Sequence, residues 1–399
     1  MTESTGRRRR SADLFSFIVL FAALYVAFGV ASPFLPAFLS SRGVRPEQIG
    51  FLLFLGAIVR LASGPIAGRI ADRLHALRRV LTICTAAAAV LASAFIPAYG
   101  FFPLLLIGLL HAAMLAPTTT LADALALRSA SKNGSTRFEY GWVRGVGSAA
   151  FLLGAIGSGQ VVNVLGFGSA LAAQALFLAG AACAALLVPE IRVLRESGVG
   201  DYEPTLPSLS VLLRNRPFRR LVLVAAIILG SHAMHDAFAM IVWNAAGISP
   251  AVGGMLWSLS VAAEILVFFF VGPWLLRRIT PEVAMVIAAL AAMLRWTVMS
   301  QTPTILVLAS VQPLHGLTFA LLHLACMRIL VIITPVELAA TAQAVYAFGI
   351  GATSAMLTLA SGFLYAGLGS ASFLVMAGLA LASLPAIWAL SRSLHEAWP

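Results

Sequence analysis

Three arginines, five histidines and three acids interrupt stretches of this chain that are otherwise almost wholly apolar. They are Arg60, Arg144 and Arg295; His111, His232, His235, His315 and His323; and Asp123, Asp236 and Glu264. A charge among hydrocarbon is costly, so each must face a partner, a water-filled space or a ligand. Glu264 is the acid best suited to take up and release a proton. Apolar neighbours oppose its ionised form and an approaching arginine restores it. Arg295, near the middle of the next apolar stretch, is the expected partner. Such a pair either exchanges between internal pairing and ligand pairing, or permanently fixes two helices. His232 and Asp236, four apart, can share a helix face as a proton-sensitive pair or as an ordinary structural hydrogen bond. His315 and Gln312 offer hydrogen bonds to a ligand or tune Glu264, while His323 lies further along its helix and is left outside this group.

Arg144 stands one turn after Tyr140. Its planar fork suits a carboxylate or several hydroxyls. Anchoring at a membrane surface is the competing role, because Arg144 is close to the expected helix start. Tyr25 and Phe28 offer an aromatic wall or plain packing. Gln343 and Tyr346 offer a polar edge and a ring to a cavity, with core packing equally open for Tyr346. Asp123 reads as a structural or gating acid near a helix end. Enzymatic chemistry would need a nucleophile beside a base or a metal-ligand cluster. HAMHD at 232–236 lacks the zinc spacing and the companion glutamate, and no metal or other cofactor is implied.

The elements that hold these residues are membrane spans. The chain is 60% hydrophobic and 10% charged, too apolar for a soluble domain of 399 residues. A helix of about 20 apolar residues crosses a bilayer core of about 30 Å. Twelve stretches of that length are expected at 14–36, 48–70, 80–98, 100–124, 141–165, 167–188, 218–243, 251–275, 282–299, 303–325, 338–363 and 369–391. Long Ala-, Leu- and Gly-rich runs without period-two alternation exclude a β-barrel reading. The fold class is therefore all-α and polytopic.

The basic residues set the orientation. The N-terminal GRRRR, Arg73, Arg78, Arg79, Arg128, Lys132, Arg137, Arg192, Arg195, Arg214, Arg216, Arg219, Arg220, Arg277, Arg278, Arg328 and Arg392 fall on one side of a twelve-span arrangement. The other side has only Arg42 and Arg45 in its loops. That asymmetry predicts both termini in the cytoplasm. It also accounts for the net charge of +11 without nucleic acid, since the charge is spread over short loops beside hydrocarbon. The basic start and apolar run resemble a signal peptide, but no small-residue cleavage site closes a short core, so a retained first helix is expected. Cys84, Cys183 and Cys326 make neither a disulfide framework nor a metal spacing.

A polar connection at 189–217, holding Pro189, Gly198, Asp201, Glu203, Pro204 and Pro207, separates six spans from six. The expected domains are 1–188, the loop 189–217, and 218–399. Gly64-Pro65 and Gly272-Pro273 stand 208 residues apart, each near the end of the second helix of its half. Two related bundles suit alternating exposure of a central site. The run GPIAGRIADRLHALRR adds a sharper feature. Gly64 and Gly68 can let a backbone approach closely, and Asp72 can cap a helix or pair with an arginine. Arg69 and Arg73 flank it at the cytoplasmic interface. We read these residues as a conformational latch.

That run matches the pattern G-x-x-x-G-R/K-x-x-D-R of the major facilitator superfamily, which the chain resembles over nearly all of 14–391. YGWVRGVGS at 140–148, AAEI at 262–265, LRW at 294–296, VQPLHGLTFALLH at 311–323 and TAQAVYAFGIG at 341–351 look like its branch of phenylpropionate permeases, nucleoside–proton symporters and lactose-permease-like sugar symporters. The resemblance implies two six-helix bundles, alternating access and proton-coupled uptake of an aromatic acid, nucleoside or sugar through the bacterial inner membrane. It also implies a monomer in lipid and substrate contact at Arg144, which matches the arginine of the sugar-permease fifth helix. The alternative is a proton-coupled exporter of small organic compounds or drugs. The fifth helix has Gly147, Gly154, Gly157 and Gly159 but none of the proline common in such exporters, which favours symport.

Overall fold

The computed structural model describes residues 2–132, 135–136, 138–189, 209–335 and 338–397. Among them are eleven continuous helical stretches long and apolar enough to span a bilayer. The last, Ala339–Leu394, holds two helices, Ala339–Leu368 and Ser372–Ala397, separated at Gly369–Ala371. Gly369 has φ 57°, a left-handed conformation that turns the chain between them and that glycine adopts at little cost. Twelve spans result, and the fold is all-α apart from a two-residue antiparallel pairing of Ser131–Lys132 with Ser135–Thr136.

Several spans differ in extent from expectation. The first helix ends at Ala31, not at residue 36. Pro33 and Pro36 interrupt it, and the short helix Leu35–Ser41 follows. The tenth stretch runs Ile305–Ile333, past the expected 325, so His323 lies well within it. Most of the expected connection 189–217, with Arg192, Arg195, Gly198, Asp201, Glu203, Pro204 and Pro207, lies outside the described residues, as does Arg137. Its end is ordered by Asn215, whose side chain accepts a hydrogen bond from the Phe218 N–H at 3.1 Å and so caps the helix Arg216–Gly230.

The chain separates into two compact units. One comprises 1–44, 55–195 and 249–255; the other comprises 45–54, 196–248 and 256–399. In the first, the first span packs on the fifth and sixth, and the third on the fourth and sixth. Phe17, Leu20, Phe21, Leu24, Leu81 and Leu178 are buried there. In the second, the seventh span packs on the eleventh and twelfth, and the ninth on the tenth and twelfth. Offset by six spans, these pairings are the same. The repeat hinted at by two Gly-Pro pairs is thus a repeat of helix packing.

Candidate functional site

Arg295 is the centre of the polar cluster in the second unit. It lies on the helix Pro281–Gln301 and is fully buried. Its guanidinium donates to His315 Nδ1 at 3.0 Å, His235 Nε2 at 3.2 Å, Gln312 Oε1 at 2.8 Å and Ser260 Oγ at 3.4 Å. It also lies 4.6 Å from the centroid of the Trp296 ring. Arginine has donors only, so the histidine nitrogens facing it must carry no proton. The remaining N–H of each neutral ring is then fixed on the opposite nitrogen. His315 Nε2 is 3.4 Å from Glu264 Oε2, and His235 Nδ1 is 3.2 Å from Asp236 Oδ1. One buried cation therefore orients two imidazoles, and each imidazole meets a carboxylate. Accessibility rises along both branches: His315 is 14% and Glu264 26% exposed, His235 3% and Asp236 61%.

Local backbone features bring the partners together. Turns wider than the α-helix, hydrogen-bonded between residues five apart, occur at Val267–Val271, just after Glu264, and at Gly316–Leu321, just after His315. Such π segments change the phase of side chains along a helix and recur at functional sites. Gly316 lets the two helices meet: a Cβ there would lie 2.7 Å from the Ala263 carbonyl oxygen. A larger residue would push His315 away from Glu264. Arg328 donates to the Leu276 carbonyl at 2.6 Å and so satisfies the end of the eighth span.

Two expected pairs are corrected. Glu264 and Arg295 are joined through His315, because all the guanidinium's side-chain bonds are taken by His315, His235, Gln312 and Ser260. His232 does not pair with Asp236. It sits in the break between the helices Arg216–Gly230 and Ala233–Ala245, where its Nδ1 faces the carbonyls of Ile228 and Leu229. Its Nε2 meets Thr318 Oγ1 at 2.9 Å. Asp236 is served by His235, whose ring stacks on Trp257 at 4.8 Å. His235, Ser260 and Trp257 were absent from the expected site; a second histidine beside Asp236 was the available signal for the first.

In the first unit, Arg144 donates to the Tyr25 hydroxyl and lies 4.8 Å from the centroid of that ring. The arginine is exposed within its span. Tyr25 stacks on Phe21, with Phe28 on its other side. Tyr140 donates to Asp123 Oδ1 at 2.7 Å on the neighbouring turn. Gln343 is exposed on the eleventh span. Tyr346 is buried, with Cys326 beside its hydroxyl.

The expected latch residues are partly assembled. Asp72 pairs with Arg128 at 3.6 Å, while Arg69 and Arg73 are exposed. No described atom lies within 4 Å of a Cβ built on Gly64 or Gly68. The close backbone approach expected at this pair is not made in this conformation, since that helix face meets no second backbone there.

With this geometry the chain matches known transporters. The model of the MFS_1 like family fits residues 15–376. The chain is 34% identical over 370 residues to the Probable 3-phenylpropionic acid transporter of Escherichia coli (strain K12), covering 91% of this chain and 93% of that one. It is 25% identical over 364 residues to the Uncharacterized transporter YwbF of Bacillus subtilis (strain 168), covering 90% and 87%. A crystal structure of a variant of the nucleoside transporter NupG superposes with a TM-score of 0.81 at 18% identity, covering 94% of this chain and 99% of that one.

Proposed function

This chain belongs to the MFS_1 like family, and we propose that it carries a small organic acid, nucleoside or sugar inward together with protons. It is a secondary transporter of a small organic solute, works by alternating access and is not an enzyme. It is a multi-pass protein of the bacterial inner membrane. The one-sided distribution of arginine supports cytoplasmic termini, with the chain acting as a monomer in lipid and 1–188 and 218–399 as its two bundles. The name of the E. coli relative favours an aromatic acid within the substrate range.

Proton coupling rests on one observation: His315 stands between a buried guanidinium and the accessible Glu264. An ionised Glu264 accepts the imidazole N–H and holds His315 against Arg295. A proton on Glu264 weakens that acceptor and frees His315, and with it a donor of Arg295, for substrate. His315 and Gln312 form the substrate-facing edge of this cluster, and Asp236 with His235 forms its second branch. His232 fixes the helix break that carries them. Within the first unit, Arg144 and Tyr25 are a cationic and an aromatic contact for solute; within the second, Gln343 and Tyr346 shape the wall of the eleventh span. Asp72 with Arg128, Gly64, Gly68, Arg69, Arg73 and Asp123 belongs to the switching apparatus. Reciprocity requires that substrate and proton each strengthen the binding of the other.

The test uses proteoliposomes, a panel of aromatic acids, nucleosides and sugars, and an imposed pH gradient. Wild-type protein is expected to concentrate at least one of these solutes. Glu264→Gln is expected to lose that accumulation and to retain counterflow without a gradient. Normal proton-driven accumulation in Glu264→Gln rules out the coupling role. Gradient-driven movement in the outward sense would establish export.

A further inference from the structure

Arg60 lies at the middle of the helix Pro46–Arg73. At 1.5 Å per residue it is about 20 Å from either end. Its side chain is exposed in this structure. Among the described residues its guanidinium has no hydrogen bond and no carboxylate partner. An unpaired cation at mid-span is the most expensive arrangement a membrane helix can hold. It must face water or a compensating anion.

His111 supplies an independent sign of one. It is 5% exposed, and its Nε2 is buried without a hydrogen-bond partner. Its ring is held edge-on against Phe95 at 5.7 Å. The helices bearing Arg60 and His111 touch where a Cβ on Gly56 would lie 3.8 Å from Ala112 Cβ. Arg60 follows Gly56 by one turn, and helical side chains lean back toward the N-terminus. The guanidinium is thereby carried toward the level of Ala112 and His111. A guanidinium and an unsatisfied imidazole nitrogen in one place present donors and positive charge to one anion.

We propose that Arg60 and His111 form a binding site for the carboxylate of an organic acid. The Arg60 fork takes the two carboxylate oxygens and His111 Nε2–H donates to one of them. The site is separate from Arg144, and it narrows the substrate to a carboxylate. It rests on the reading of the chain as a carrier of small organic solutes. A bound carboxylate neutralises the unpaired cation, so binding removes a standing cost of the empty protein.

The experiment measures equilibrium binding of 3-phenylpropionate and of its neutral amide to purified full-length protein, with thermal unfolding in parallel. Wild type is expected to bind the acid at least about tenfold more tightly than the amide, as a bidentate charged contact requires. Arg60→Gln is expected to abolish that preference while melting at or above the wild-type temperature, because an unpaired charge has been removed. Arg60→Lys keeps charge without the fork and should retain part of the preference. His111→Gln should reduce it. An acid bound no better than the amide by wild type, an undiminished preference in Arg60→Gln, or a lower melting temperature in Arg60→Gln overturns the site. Proton-driven accumulation by the wild-type protein in proteoliposomes is read separately from the acid-over-amide preference in binding, so failure of this site and failure of the coupling reading give different results.

Discussion

Arg295 and Arg144 are both guanidiniums inside membrane spans, and they are housed in opposite ways. Arg295 is fully buried; its two terminal nitrogens donate to two histidines, a glutamine and a serine, while Nε has no hydrogen-bond partner among the described residues. Arg144 is exposed and makes its side-chain bond to Tyr25. A donor engaged in this way reaches a ligand only by giving up an existing bond. An open one has donors to spare. The second unit thus holds a cation that organises its neighbours, and the first holds cations that face outward from theirs. Arg60, with no partner among the described residues, is the extreme of the second kind.

The largest effect that this contrast predicts is at Arg295. Arg295→Gln removes a shared donor and leaves His235 Nε2 and His315 Nδ1 without their buried partner. Each orphaned buried acceptor costs about 1–3 kcal/mol, so a loss of about 2–6 kcal/mol of stability is expected, with transport abolished. Thermal unfolding in detergent measures the first and proteoliposome uptake the second. An Arg295→Gln protein that melts like wild type would break the contrast, because it would show that the network is not a structural centre.

Arg144→Lys should do the reverse. It keeps the charge but loses the fork, and an open side chain has little packing to lose. We expect solute affinity to weaken about tenfold, or about 1.4 kcal/mol, with no change in melting temperature. Equilibrium binding at wild-type strength in both Arg144→Lys and Arg144→Ala would remove Arg144 from the substrate contacts and leave Tyr25 as its structural partner.

Which parts of this arrangement were legible in the sequence follows from what each part depends on. The spans were, because mean composition over about 20 residues decides them and short errors at Pro33 or Ile333 do not change the number. The polar residues of the second unit were also visible one by one, because each is conspicuous in an apolar helix. Their pairing was not. His232 and Asp236 lost their shared face to the break at Ser231, which the apolar flanks do not signal. Glu264 and Arg295 were read as direct partners because they lie on consecutive helices. The phase of the tenth helix, altered at Gly316–Leu321, puts His315 between them. Arg60 and His111 stand as isolated residues in the sequence, because what relates their helices is tertiary packing such as that of Gly56 on Ala112. Gly64 and Gly68 have a separate cause: a motif for close approach does not say in which conformation the approach occurs.

The smallest effect on stability, and the sharpest use of that last point, is at Asp72. Its pair with Arg128 spans 3.6 Å, with the side chains 66% and 43% exposed. An exposed ion pair is worth about 0–1 kcal/mol, so Asp72→Asn should lower the melting temperature little and leave solute affinity unchanged. Any larger loss in initial transport rate must then arise in another conformation, where Asp72 and the Gly64/Gly68 face gain contacts that are not made here. We expect such a loss: transport reduced by about tenfold, more than the static pair can account for. Arg128→Gln separates the two roles. It removes the same ion pair and leaves the Asp72 carboxylate available to a helix end. If the pair itself is what matters, the two variants fall together. If Asp72 acts chiefly as a latch in the alternate state, Arg128→Gln keeps most of its rate while Asp72→Asn does not. Paired binding and initial-rate measurements at matched membrane abundance decide it, and an unchanged rate in Asp72→Asn would mean that this motif does not control switching.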